Sequence, residues 1–186
     1  LSWITELTSY TTFIEELEFL DDNNGYFIGV EAEGLSSPLE GVVYKTTNGG
    51  LNWTESQLIS NNLGVWGDPV VLFDSLGNLY YAHLSNPMSG WWIDRIVVQR
   101  STNNGLTWND GVGIGQGIQP QAQDKEWLAV DLTQSPYRGN IYMTWTEFDD
   151  YGSSSSSDSS RIRFSKSIDQ GLTWSNAITI SDVSGN

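Results

Sequence analysis

Short apolar runs broken by glycine- and asparagine-rich turns recur along the chain, and no stretch carries a convincing helical period. The middle third shows the pattern most clearly. Apolar or alternating runs occupy 68–74, 79–85 and 94–101, and a further run starts at Thr107. Because β-branched and aromatic residues fill the runs and Gly or Asn separates them, the pattern predicts four antiparallel strands.

The same order of four runs occurs in the two other thirds of the chain. The first unit has strands predicted at 13–21, 26–33, 41–47 and 52–60, and the last unit at 127–131, 140–148, 161–168 and 173–181. Four-stranded sheets that stack radially form β-propellers of four to eight blades. We therefore predict an all-β, single-domain partial propeller over 1–186, with blades at about 11–60, 66–115 and 124–182.

An eight-residue motif marks the turn before each predicted fourth strand: TTNGGLNW at 46–53, STNNGLTW at 101–108 and SIDQGLTW at 167–174. Its Asn or Asp side chain is predicted to accept backbone N–H groups, its glycine to take a positive φ, and its tryptophan to pack between strands. These nine positions are Asn48, Gly50 and Trp53; Asn103, Gly105 and Trp108; and Asp169, Gly171 and Trp174. The motif thus has a structural role.

Residues 1–10 align with the strand that follows each motif, so we predict the outer strand of a preceding blade there. Three blades cannot close a ring. The expectation is a propeller of six or seven blades when whole, with the remaining blades supplied by the same protein or by another chain.

The motif resembles the Asp-box, or BNR repeat, of sialidase-like β-propellers. The sequence at 124–131, together with that at 137–146, also resembles the corresponding sequence of secreted bacterial proteins in the sialidase-like group. The resemblance implies a glycan or protein partner, an extracellular or cell-surface location, and a site on the rim opposite the motif turns. It also implies three arginines that bind a substrate carboxylate. The Arg-Ile-Pro motif typical of such sialidases is absent from this sequence.

The composition limits the kinds of partner and metal site that this chain can have. The formal charge is −15, from 23 acidic and 8 basic residues, so the chain repels phosphate backbones and we predict no nucleic-acid partner. No apolar run of about 18 residues exists, which predicts no membrane span. With no cysteine and one histidine, His83, a zinc site is excluded, and His83 is expected to be a strand residue.

The rim opposite the motif turns should be built from inter-blade loops, 61–68 and 109–126, and from second-to-third-strand loops, 34–39, 86–93 and 149–160. Aromatic rings and carboxylates gather there, as sugar recognition requires. The ligand-binding candidates are Trp66, Trp91, Trp92, Asp149 and Asp150. The catalytic candidates are Asp68, Asp124 and Glu126. The alternative for the tryptophans is that they pack loops or missing blades.

Few other residues of the sequence suggest a substrate-binding or metal site. Of the arginines, Arg95, Arg100, Arg161 and Arg163 fall in third strands and Arg138 in a turn on the opposite rim, so no arginine triad assembles. No cofactor is expected, although calcium could bind the acids Asp21, Asp22 and Asp158. The glycine-rich stretch 111–117 is predicted to be a mobile loop, and the serine tract 152–160 a disordered or extended one.

Three functions fit these features. The leading interpretation is a binding or scaffold propeller that recognises a glycan or a protein. The first alternative is a glycoside hydrolase of exo-sialidase type whose active site is partly outside this segment. The second is a module that only binds other proteins.

Overall fold

A computed structural model of the chain describes residues 11–32, 40–58, 65–86 and 92–185, and these ranges form twelve β-strands. The strands of the first sheet are β1 Thr11–Phe19, β2 Gly25–Ala32, β3 Glu40–Thr46 and β4 Thr54–Leu58. The second sheet contains β5 Val70–Phe73, β6 Leu79–Ser85, β7 Arg95–Ser101 and β8 Val112–Ile114. The third contains β9 Ala122–Val130, β10 Ile141–Phe148, β11 Ser160–Ser167 and β12 Ile178–Thr179.

Each sheet is a four-stranded antiparallel meander in which sequence neighbours pair. Tyr26 stands opposite Lys45 in the first sheet, Tyr80 opposite Arg100 in the second and Tyr142 opposite Lys166 in the third. The three sheets are therefore built in equivalent register, as the repeated strand pattern predicts. We refer to them as blades 1, 2 and 3.

The core lies between consecutive blades. Tyr26, Ile28 and Val43 of blade 1 pack against Val71, Leu79 and Tyr81 of blade 2. Apolar side chains of blades 2 and 3 form the second cluster, which includes Tyr80, Ala82, Val98, Leu128, Met143 and Trp145. Since each blade buries one face on its neighbour and the first strands β1, β5 and β9 lie side by side, the fold is a partial β-propeller. The predicted fold class is confirmed.

The tryptophan turns, residues 46–53, 101–108 and 167–174, share one hydrogen-bond network. In the third turn, Thr173 N donates to Asp169 Oδ1 at 2.9 Å and Gly171 N donates to Ser167 Oγ at 2.8 Å. Asn48 and Asn103 accept the equivalent bonds from Asn52 and Thr107. The motif glycines have φ of 86°, 77° and 78°, in the left-handed region that favours glycine, as predicted.

The motif tryptophans are half-buried and lie where the prediction places them. Trp53 packs on Phe27 at a ring-centroid distance of 4.7 Å, and Trp108 meets the Tyr81 ring edge-on at 6.2 Å. Trp174 packs against the core between blades 2 and 3. Trp108 and Trp174 thus cover the interfaces between blades 1 and 2 and between blades 2 and 3, whereas Trp53 covers the face of blade 1 that points away from blade 2.

Several boundaries differ from the prediction. The predicted fourth strands at Thr107 and at 173–181 shorten to β8 and β12, because Asn109 and Ser175 pair with the third strands through their side chains. Arg100 N donates to Asn109 Oδ1 at 2.7 Å, and Lys166 N donates to Ser175 Oγ at 3.1 Å. The stretch 111–117, predicted as a mobile loop, contains β8, so that prediction is wrong.

Some predictions fall outside the described residues. These are the strand at 1–10, the loop 34–39, the first half of the loop 61–68, and residues 87–91, which include Trp91. The serine tract 152–160 is described, and it forms hydrogen-bonded turns: Ser153 Oγ donates to Asp158 Oδ2 at 2.6 Å. The tract is therefore an ordered loop and not a disordered one, which were the two predicted alternatives.

Candidate functional site

The first strand of blade 3 is longer than predicted, and this changes the setting of two catalytic candidates. Asp124 and Glu126 were expected in the loop 109–126, but both lie within β9, which starts at Ala122. The pairing with β10 shifts between Thr144 and Thr146, where Lys125 adopts a φ of 54°. Such a bulge places an extra residue on one strand and redirects its side chains, which an alternation pattern does not reveal.

Three acidic side chains converge where β5 and β9 begin; we call Asp68, Asp124 and Glu126 the carboxylate cluster. Lys125 Nζ lies 2.8 Å from Asp68 Oδ2. Burial, followed by the negative charge of Asp68, raises the pKa of Asp124 above its ordinary value. The structure therefore brings together all three predicted catalytic candidates.

Glu126 is the most buried member of the cluster, with 3% of its surface exposed. Neither carboxyl oxygen has a hydrogen-bond partner among the described residues. Burial, with smaller contributions from the charges of Asp68 and Asp124, raises its pKa well above the ordinary value. A desolvated carboxyl of this kind holds its proton over a wider pH range than an exposed one.

A cavity of about 420 Å³ opens beside the cluster. Its walls come from the β6–β7 loop, the β8–β9 loop with the start of β9, and the β10–β11 loop, so blades 2 and 3 share it. The lining residues are Trp92, Ile93, Gln119, Pro120, Ala122, Gln123, Asp124, Asp150 and Tyr151. We call this space the rim cavity, because it lies on the rim opposite the tryptophan turns.

The rim cavity combines two aromatic side chains with two carboxylates. Trp92 is held by its indole N–H, which donates to Gln121 O at 2.6 Å. Tyr151 is 63% exposed and packs edge-on against Phe148 at 5.0 Å. Since sugars present C–H faces to aromatic rings and hydroxyls to carboxylates, this lining is chemically suited to a carbohydrate.

The other ligand-binding candidates have different surroundings. Trp66 packs against the core between blades 2 and 3, as the packing alternative proposed. Asp149 forms an ion pair with Arg161 and accepts a backbone bond from Ser159, and its pKa is lowered, first of all by the Arg161 guanidinium. It therefore orders the β10–β11 loop, whereas its neighbour Asp150 lines the cavity.

Each of the five arginines is engaged by groups of its own blade or of the next one, and Arg161 and Arg163 share Glu147. Arg95 pairs with Asp94 at 2.7 Å, Arg161 with Glu147 and Asp149, and Arg163 bonds to Thr179 and Ala177. Arg100 and Arg138 bond to loop groups on the rim of the tryptophan turns. Among the described residues, no three of these guanidinium groups share a partner.

The calcium candidates act as turn residues. Asp21 accepts from the Asn23 and Asn24 backbone, and Asp158 accepts from Ser153. Within the part of the chain that the structure describes, no group of three or more His, Asp or Glu side chains is arranged to hold a metal ion. His83 lies within β6, and complete burial lowers its pKa to about 4.

Sequence reasoning missed Tyr151, Gln119 and Pro120 in the cavity wall. Tyr151 directly follows the two aspartates that were singled out, so its position in the same loop was the available signal. Gln119 and Pro120 belong to a segment whose path depends on where β9 begins, and the apolar pattern placed that start five residues too late.

Comparisons with known proteins give the fold a context. No family model matches the sequence, and no curated protein is similar to it. Among solved structures, the chain is similar to the GH93 α-L-arabinofuranosidase of Fusarium graminearum in complex with arabinobiose, with a TM-score of 0.65 and 15% identity over 95% of this chain and 51% of that one. It is also similar to the α-L-arabinanase of Penicillium chrysogenum, with a TM-score of 0.64 and 15% identity over 94% and 54%.

These structural neighbours are β-propeller glycoside hydrolases, and the chain spans about half of their length. At this identity the similarity establishes the fold alone. The chain is thus a partial propeller of the architecture that these enzymes share. In the part of the chain that the structure describes, no helix could cross a bilayer.

Proposed function

We propose that this chain forms part of a carbohydrate-binding propeller and that the glycan occupies the rim cavity. The observation that carries the proposal is the meeting of Trp92 and Tyr151 with Asp124 and Asp150 around one open space. The arabinobiose-bound neighbours support a glycan ligand, because they use the same propeller architecture. The tryptophan turns further support kinship with Asp-box, sialidase-like propellers, and we infer an extracellular or cell-surface location.

Binding is tested with a glycan array that carries arabinan- and sialic acid-terminated oligosaccharides, followed by calorimetric titration of the best ligand. We expect Tyr151→Ala to weaken binding about tenfold, since an aromatic face over a sugar contributes on the order of 1 kcal/mol. Tyr151 is already 63% exposed, so its truncation should leave the fold intact.

Tyr137→Ala is the matched control. Tyr137 is 62% exposed in the β9–β10 turn on the opposite rim, and its removal should leave affinity unchanged. Equal losses of affinity in the two variants would contradict the proposal. A protein that binds none of the glycans on the array would also contradict it and would favour a module that binds only proteins.

Glycoside hydrolysis is the second candidate function, and the carboxylate cluster favours it. Most glycosidases use two carboxyl groups, one of which stays protonated because its environment raises its pKa. Asp124 lines the rim cavity and has a raised pKa, so it is our candidate proton donor. Asp68, paired with Lys125, supplies the second carboxyl group.

The hydrolytic function is tested with aryl arabinosides and aryl sialosides. We expect Asp124→Asn to lower kcat by about 10²–10⁴-fold, the typical contribution of a positioned general acid. Asp150→Asn, which changes the other cavity carboxylate, should act mainly on KM. Turnover that survives Asp124→Asn would remove Asp124 from the mechanism, and no turnover on any glycoside would leave glycan binding as the function.

A further inference from the structure

Both charged side chains in the described wall of the rim cavity are acidic. Asp150 is exposed in the β10–β11 loop, and Asp124 is half-buried in β9. Burial and, after it, the negative charge of Asp68 raise the pKa of Asp124, so a third acid lies close to this wall. Since an ionised carboxylate accepts hydrogen bonds and donates none, the charged part of the wall suits a ligand that donates them.

The cations of the chain lie elsewhere. All eight lysines and arginines belong to the residues that the structure describes, and none of them lines the rim cavity. Lys45, Arg100 and Lys166 directly precede the tryptophan turns, and Arg138 lies in the β9–β10 turn. These four charges are therefore on the opposite rim, separated from the cavity by the length of the strands.

The other four cations are engaged by groups outside the cavity wall. Lys125 is next to Asp124 in sequence, yet its Nζ lies 2.8 Å from Asp68 Oδ2. The three remaining cations are arginines, and their partners are Asp94 for Arg95, Asp149 and Glu147 for Arg161, and Thr179 and Ala177 for Arg163. A ligand carboxylate in the cavity would have to take a cation from one of these partners.

Charge repulsion in this space acts against an acidic ligand. Like charges repel each other with an energy that grows as water is removed from between them. A sugar carboxylate that enters brings another negative charge beside Asp124 and Asp150, whereas the hydroxyls of an uncharged sugar donate hydrogen bonds to the same two groups. The rings of Trp92 and Tyr151 do not discriminate between the two ligands, because both present C–H faces.

We propose that the rim cavity selects uncharged glycans and rejects acidic ones, with Asp124 and Asp150 as its specificity-determining residues. This inference rests on the proposed function, in which the rim cavity is the glycan site. It narrows the ligand class to neutral pentose and hexose oligosaccharides. Glycans that end in sialic acid, in a uronic acid or in a sulfate ester are excluded, although the tryptophan turns resemble those of sialidase-like propellers.

A glycan array printed in matched triplets tests the selection on the purified chain. Each triplet holds a neutral oligosaccharide, the same oligosaccharide with the primary hydroxyl of its terminal sugar oxidised to a carboxylate, and the methyl ester of that acid. The ester keeps the shape of the acid and removes its charge. We expect the neutral and ester forms to bind, and the acid to bind about tenfold more weakly or worse, because it forms a close like-charge pair.

Charge variants then assign the selection to the cavity wall, with calorimetric titration of the best triplet as the measurement. Asp150→Lys should bring the dissociation constant of the acid to within about twofold of that of the neutral form, or below it, because repulsion becomes attraction. Glu55→Lys makes the same change in net charge at an exposed position of β4 in blade 1 and is the control. It should keep the wild-type ratio of the two dissociation constants.

The outcomes separate this inference from the proposed function. An acid bound as tightly as its neutral partner, or a ratio unchanged by both Asp150→Lys and Asp124→Asn, would overturn the selection and leave glycan binding in place. Equal losses for the acid and its methyl ester would show that size, and not charge, decides. A chain that binds no member of any triplet would refute the proposed function, and this inference with it.

Discussion

Trp145→Ala is expected to destabilise the fold by about 3–5 kcal/mol, the cost of truncating a fully buried indole. Trp145 is 1% exposed in the core between blades 2 and 3, where its N–H donates to Gln123 Oε1. The site cannot collapse around the missing ring, because β8 and β10 are fixed by their own strand pairs. Urea unfolding followed by tryptophan fluorescence and circular dichroism measures the loss.

The control for this variant is Leu106→Ala, at a residue 74% exposed in the second tryptophan turn. Its effect should stay within about 0.5 kcal/mol, as for most surface substitutions. A Trp145→Ala chain as stable as the control would contradict the stacking of blade 3 on blade 2.

Glu126→Gln is expected to stabilise the chain at neutral and alkaline pH and to remove much of its pH dependence. Below the ordinary glutamate pKa of 4.5, both the folded and the unfolded chain hold the proton. As the pH rises, the unfolded chain releases it first, because burial raises the pKa of Glu126 in the folded state. Stability therefore falls with increasing pH until the folded pKa is passed.

For each pH unit by which the pKa of Glu126 in the folded chain exceeds that in the unfolded chain, the chain loses about 1.4 kcal/mol of stability at high pH. The free energy of unfolding, measured in urea from pH 4 to pH 9, should slope downward in the wild type and flatten in Glu126→Gln. Glu55→Gln, at an exposed position of β4, is the control and should keep the wild-type slope. Parallel slopes for wild type and Glu126→Gln would show that Glu126 is solvated.

A stabilising change at Glu126 would also bear on function. A chain that keeps a desolvated carboxyl beside Asp124 pays for it in stability, as is common where a site needs a shifted pKa. If Glu126→Gln proves more stable and also alters glycan turnover, the cluster is maintained for chemistry; if only stability changes, Glu126 is a core residue beside the rim cavity.

Much of the fold could be predicted because its signals are local. The strand runs, the glycine at each positive-φ position and the side chain of Asp169, Asn103 or Asn48 all act within eight residues. Blade identity and register follow from that repetition. The fourth strands were predicted too long, since the side chains of Asn109 and Ser175 replace ladder bonds, and no sequence period records such a replacement.

The candidate site was predicted in its residue types and only in part in its geometry. The sequence by itself determined the four-stranded blades, the tryptophan turns and the acidic, aromatic character of one rim. Only the tertiary structure decided that Asp68 meets Lys125, that Asp149 is used by Arg161, and that Tyr151 joins Trp92 at one cavity. The physical reason is that strand and turn preferences are set by neighbours along the chain, whereas burial and charge pairing are set by the packing of one blade on another.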